Sequence, residues 1–100
     1  SYTVPPLVPV LLIATDITNA QDPNILITEL ANRLFNYTIS QGQIDSLKEI
    51  LIPGLPDFEW TVEYTNFLAN PSDDALRISV DNKLRNLIST MVQMSEFQIM

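Results

Sequence analysis

The sequence predicts an all-α fold, a compact array of four main helices behind a short proline-containing N-terminal arm. Three observations carry this reading. Apolar residues recur at three- and four-residue spacing in four separate segments, each segment has its own cap and breaker, and the connections are short enough to favour antiparallel neighbours. With 100 residues, 46% hydrophobic and 17% charged, the chain can build one core and has no room for a second of ordinary size.

The elements follow in chain order. The apolar run from Val4 to Ala14 is interrupted by Pro5, Pro6 and Pro9. It has no basic region ahead of it and is far shorter than the roughly 20 residues that span a bilayer, so it reads neither as a signal peptide nor as a transmembrane helix. Its prolines favour an extended start, with Val8 to Ala14 as a short strand or a buried turn of helix. Residues 1–21 are therefore expected to form an apolar arm and a polar linker from Thr15 to Gln21, and residues 22–100 the helical domain.

Asp22 is placed to cap a first helix with Pro23 at its first position, where a missing N–H costs least. Leu26, Leu30 and Leu34 with Ile27, Ala31 and Phe35 make its stripe, Glu29 stands four before Arg33, and the helix ends near Asn36. Ser40 and Gln43 have capping-box spacing for a second helix, whose stripe is Ile44, Leu47, Ile50 and Leu51 and whose end is set by Pro53 and Gly54. Asp57 is expected to cap a third, with Trp60, Tyr64, Phe67 and Leu68 on one face and Glu59 and Glu63 on another, broken by Asn70-Pro71. From Asp73 a longer helix carries Leu76, Val80, Leu84, Leu87, Ile88 and Met91, while Asp73, Arg77, Asp81 and Arg85 alternate in sign on a neighbouring strip.

The composition excludes much chemistry. The chain has no cysteine and no histidine, which removes disulfides, thiol nucleophiles, cysteine zinc sites, imidazole acid–base catalysis and most zinc or copper sites. With 12 acidic residues against 5 basic ones and a net charge of −7, a phosphate backbone is repelled, so nucleic-acid binding is not expected. Gly42 and Gly54 are the only glycines, too few for a phosphate-cradling loop or a strained serine elbow.

What remains is carboxylates and aromatics. Asp57, Glu59, Glu63, Asp73 and Asp74 fall in a stretch with no basic residue between Lys48 and Arg77. Hard cations need converging oxygens, and a helix length separates these, so the ordinary reading of the groups near Asp57 and Asp73 is capping of helix N-termini. Asp16, Thr18, Asn19 and Asp22 resemble a calcium loop in composition, but the positions that need glycine and a bidentate glutamate hold Gln21 and Ile27. Glu59 and Glu63, one turn apart, have a spacing that suits acid–base work on a glycosidic bond, but one-turn glutamate spacing is routine on solvated faces. Phe58, Trp60, Tyr64 and Phe67 fit a sugar- or peptide-binding platform, but an aromatic stripe at helical spacing is ordinarily core. Asn36-Tyr37-Thr38 matches a glycosylation acceptor and receives no role. No catalytic, cofactor-binding or metal-ligating residue is assigned.

The ending, Leu87, Ile88 and Met91 followed by Met94-Ser95-Glu96-Phe97-Gln98, resembles the tail of the bacterial family catalogued as domain of unknown function 1800. By order of elements the resemblance runs from Asp22 to Gln98, with the leucine-rich helix at Leu26 to Phe35 and the polar turn at Thr38 to Gly42. Literal identity is confined to Glu96-Phe97-Gln98, and Met94-Ser95 stands where the family commonly has Ser-Pro. The resemblance implies the C-terminal segment of a larger, frequently exported bacterial protein, with no catalytic residues to carry over. The start at Ser1 likewise suggests a trimmed chain.

The expected function is that of a non-catalytic structural or protein-interaction module. The alternative is an enzyme, or a fragment of one, using carboxylates of the Asp57 to Asp74 region in a hydrolase-like reaction. The expected partner is the upstream part of the parent chain or a second copy, reached through the Val4 to Ala14 arm, because that run is too apolar to leave wet at about 1.5–3 kcal/mol per buried aliphatic side chain. Packing of the arm across its own helices is the competing expectation.

Overall fold

The computed structural model describes residues 8–94 and Phe97. Over these residues the chain is helical without strands: α1 Val10–Thr15, α2 Pro23–Phe35, α3 Gln41–Leu51, α4 Asp57–Ala69 and α5 Asp74–Gln93. The long α5 is the axis of the array. It packs against α1, α3 and α4, and α2 closes the other side of α3 and touches α4. No helix among the described residues is long and apolar enough to cross a membrane.

The helix ends follow from local chemistry. Asp22 is extended and accepts a 2.9 Å bond from the Asn24 N–H, with Pro23 in the first turn. At the other end of α2, Asn36 turns left-handed at φ 51°, which lets the Tyr37 N–H reach back to the Ala31 carbonyl. Ser40 and Gln43 form a complete capping box at the start of α3. Beyond its end, Gly54 supplies φ +68°, a conformation that side chains disfavour. Asp73 caps α5 by accepting from the Leu76 N–H at 3.1 Å.

The third expected cap is corrected. Asp57 is the first residue of α4, the cap position is Pro56, and no side chain caps it. The Asp57 carboxylate instead accepts from Asn24 Nδ2 at 3.0 Å and Lys48 Nζ at 3.2 Å, joining the starts of α2 and α4 to α3.

The core keeps most of the expected stripes and adds Val10, Ala14, Ile17, Ala20, Ile52 and Phe97, while Phe35 and Leu76 of the stripes are partly buried. Leu26, Ile27, Leu30, Ile44, Leu47, Leu51, Trp60, Tyr64, Phe67, Val80, Leu84, Leu87, Ile88 and Met91 are buried. Leu34, Ile50 and Leu68 are exposed at the margins. On α3 and α4 the buried arc is narrower than the apolar arc: Ile50 and Leu68 stand about 60–80° off the lines through Leu47 and Leu51 and through Trp60 and Tyr64 at 100° per residue.

In its described part the arm takes the second of its two expected forms, a buried turn of helix. From Val10 it is a helix, and Val10 and Ala14 are buried in the same core as the other four helices. The Arg85 guanidinium donates to the Val8 carbonyl at 2.9 Å and binds Asp81 at 2.7 Å. Residues 1–7 lie outside the described part. Nor does Thr15 to Gln21 hang as a polar linker: Ile17 and Ala20 are buried, the Trp60 indole N–H donates to the Ala20 carbonyl at 2.8 Å, and the Thr61 hydroxyl donates to the Gln21 carbonyl at 2.7 Å.

Candidate functional site

Each carboxylate of the Asp57 to Asp74 stretch has a place in the framework or on its surface. Asp57 ties Asn24 and Lys48, Asp73 caps α5, and Asp74 pairs with Arg77 at 2.9 Å. Glu63 accepts from the Ser79 hydroxyl and the Lys83 ammonium, both on α5. Glu59, one turn before Glu63, is exposed. The lack of basic residues between Lys48 and Arg77 is therefore a feature of the sequence only, since folding brings Lys48 and Lys83 to that stretch from the helices on either side. Among the described residues no three carboxylates gather as a metal site would require.

The loop that resembles a calcium site is likewise dispersed. Asp16 pairs with Arg33 at 2.9 Å, and Arg33 also holds Glu29. Asp22 faces its own helix start, and Asn19 is left-handed at φ 64°. The Asp16 oxygen serves an ion pair, the Asp22 oxygen a helix cap, and the Asn19 oxygen accepts from Gln21 Nε2.

The four aromatics considered as a platform divide. Trp60, Tyr64 and Phe67 are buried, with ring centroids 5.3 Å apart for Trp60–Tyr64 and 6.2 Å for Tyr64–Phe67. Burial raises the Tyr64 phenol above its ordinary value of 10.0, because the phenolate would lose its water. Phe58 points outward at 59% exposure.

Phe58 belongs to a strip that sequence reasoning did not isolate. Phe58, Val62, Thr65 and Ala69 follow one another at four-, three- and four-residue steps along α4, all are exposed, and none is charged. Leu55, 49% exposed, extends the strip past the helix start, and Val62 is 52% exposed. Hollows flank it on either side. One is lined by Asp22, Asn24, Asp57, Phe58 and Thr61; the other by Ile52, Leu55, Glu59, Val62, Leu76 and Lys83. The available signal was angular: the charged residues of α4 all fall outside the arc centred on Phe58 and Val62.

Compared with known families, curated proteins and solved structures, the chain matches none.

A second missed grouping lies at the end of α2. Phe97 is buried, stacked on Phe35 at 5.2 Å and edge-on to Tyr37 at 4.8 Å. Tyr37 in turn exchanges hydrogen bonds with the Gln43 side chain of the α3 capping box. Of the tail residues behind the family resemblance, Ser95, Glu96 and Gln98 lie outside the described part. Asn36, in the glycosylation-like triplet, supplies the left-handed residue that ends α2.

Proposed function

We propose that this chain is a non-catalytic protein-interaction or structural domain. In line with the resemblance carried by Glu96-Phe97-Gln98, we read it as the C-terminal part of a larger bacterial protein. The observation that supports the interaction reading is the outward strip of Phe58 and Val62 on α4, continued by Leu55 ahead of its start, on a helix whose inner face is packed. Large apolar side chains grouped on one exposed face ordinarily mark a contact surface.

Two of the carboxylates that an enzyme reading needs have framework partners, while Glu59 is exposed. Glu63 binds Ser79 and Lys83, and Asp57 binds Asn24 and Lys48. The Val4 to Ala14 arm carries less of the proposal than the sequence suggested. Val10 and Ala14 are covered by this chain's own helices, and Leu12, 70% exposed, is the arm's outward apolar side chain among the described residues.

A hydrolase panel, glycosides included, tests the non-catalytic part. No turnover above background is expected from the wild-type chain. Turnover that vanishes in Glu59→Gln or Glu63→Gln while helical circular dichroism is retained would establish the enzyme alternative. The parent reading frame tests the second part: coding sequence continuing well upstream of Ser1 supports it, and a start codon immediately before Ser1 removes it.

A further inference from the structure

We propose that the outer face of α4 docks a basic amphipathic helical segment of a partner protein, its aliphatic strip on Leu55, Phe58 and Val62 and its lysines or arginines against the carboxylates beside that strip. This rests on the interaction reading above and names the partner's chemistry.

Charge argues for the occupant. Five carboxylates and one lysine lie between Gln41 and Ala69, so a net charge of −4 out of −7 belongs to the α3–α4 part of the chain. Around the strip itself stand Asp22, Asp57, Glu59 and Glu63, with Lys48 and Lys83 the cations paired to Asp57 and Glu63. The local balance is acidic on both sides of an uncharged line. Cations flanking a partner's apolar strip meet Asp22 and Asp57 in one hollow and Glu59 in the other, with the Phe58 ring beside them for cation–π contact.

The same features disfavour a second copy. Two chains of charge −7 repel, and the pairing would bring Glu59 and Asp57 towards their own equivalents. The strip is also small. The 13 residues of α4 extend about 20 Å, and one helix face of that length falls below the roughly 800 Å² per partner of a standard stable interface. The fit is to a short helix laid in a groove, anchored by a few apolar side chains at helical spacing.

The test uses the 100-residue chain, 15N-labelled, titrated with a synthetic helical peptide carrying leucines on one face and lysines on its flanks. Amide shifts should concentrate at Leu55 to Ala69 and Asp22 to Asn24. Affinity should fall at least about tenfold with Phe58→Ser, with glutamate in place of the peptide's lysines, or with serine in place of its leucines. Because Phe58 is outside the core, the variant should keep its helical circular dichroism and Trp60 fluorescence, and a loss of binding then reports the contact.

No binding up to millimolar peptide overturns the proposal, as does equal affinity for the glutamate or serine peptide. Self-association in sedimentation that Phe58→Ser abolishes also overturns it, by giving the face to a second copy. Shifts confined to another face sink this inference and leave the interaction reading standing, whereas carboxylate-dependent turnover removes that reading itself.

Discussion

The two faces of α4 are built from the same kinds of residue and have opposite fates. Trp60, Tyr64 and Phe67 point inward and are at most 6% exposed; Phe58 and Val62, two residues away in each direction from Trp60, point outward and are more than half exposed. Hydrophobicity alone does not separate Phe58 from Phe67. What separates them is phase: Phe58 stands about 160° from Trp60 around the helix axis, Phe67 about 20°. An aromatic residue on a helix is thus evidence for a core only together with its angle to the other apolar positions, and the outer aromatic is the one free to meet another molecule.

Trp60→Ala breaks the comparison most severely. It removes the largest buried side chain, its stacking on Tyr64 and its hydrogen bond to the Ala20 carbonyl. The expected loss is about 3–5 kcal/mol in urea denaturation, typical of large-to-small changes at a buried aromatic. Amide exchange should also accelerate across Ile17 to Gln21, since the indole N–H is one of the two α4 groups holding that segment. A loss below about 1 kcal/mol would mean that the inner face does not anchor the fold.

Glu63 stands on the border between the faces, its side chain 19% exposed, bound to Ser79 and Lys83. Glu63→Gln should cost about 1–2 kcal/mol, because a charge-assisted bond is replaced by a neutral one and the Lys83 ammonium loses its partner. In the background of Lys83→Met the same change should cost less, and the difference measures the pair. Equal costs in both backgrounds would show that the α4–α5 contact is held by apolar packing alone.

Local signals were legible in the sequence, and long-range ones were not. Asp22-Pro23, Ser40 with Gln43, Asn70-Pro71 and Asp73 set helix ends through groups within a few residues of themselves, so composition and spacing sufficed. Asp57 is a residue type that caps, but it follows Pro56, and its carboxylate is drawn to Lys48 on the preceding helix and to Asn24, 33 residues back. The arm depends on distant residues in the same way. Its apolar run shows that something covers it, but only the fold shows that the cover is this chain's own core, with Arg85 on α5 reaching the Val8 carbonyl. The candidate surface is half visible in the sequence: residue type groups Phe58 with its inward neighbours, and Leu55 and Val62 become significant only once α4 has neighbours on one side.

Tyr64 sharpens the inner half of the comparison through pH. Its folded-state pKa is raised by burial, so the native state holds the phenolic proton more tightly than the unfolded state does. The stability linked to it is intact below about pH 10, the ordinary tyrosine value, and is lost as pH rises through the higher folded value. Tyr64→Phe should change stability at pH 7 by no more than about 1.5 kcal/mol, since shape and volume are nearly conserved, and should flatten the decline above pH 10. An unchanged alkaline slope in denaturant titrations would place the loss on other groups.

The smallest effect on folding should come from the outer face. Phe58→Ser removes a ring that is 59% exposed and replaces it with a residue of similar helix propensity, so the change in stability should stay within about 0.5 kcal/mol. Val62→Ser, at 52% exposure, should behave alike. Phe67→Ser, the same substitution two turns further along on the inner face, should cost several kcal/mol, on the scale of about 3–5 kcal/mol for truncating a buried phenylalanine. Parallel urea melts of the two phenylalanine variants therefore read the phase of α4 directly. A cost at Phe58 approaching that at Phe67 would mean that the ring is held by its own chain in solution, and the outer face would then have no strip to offer a partner.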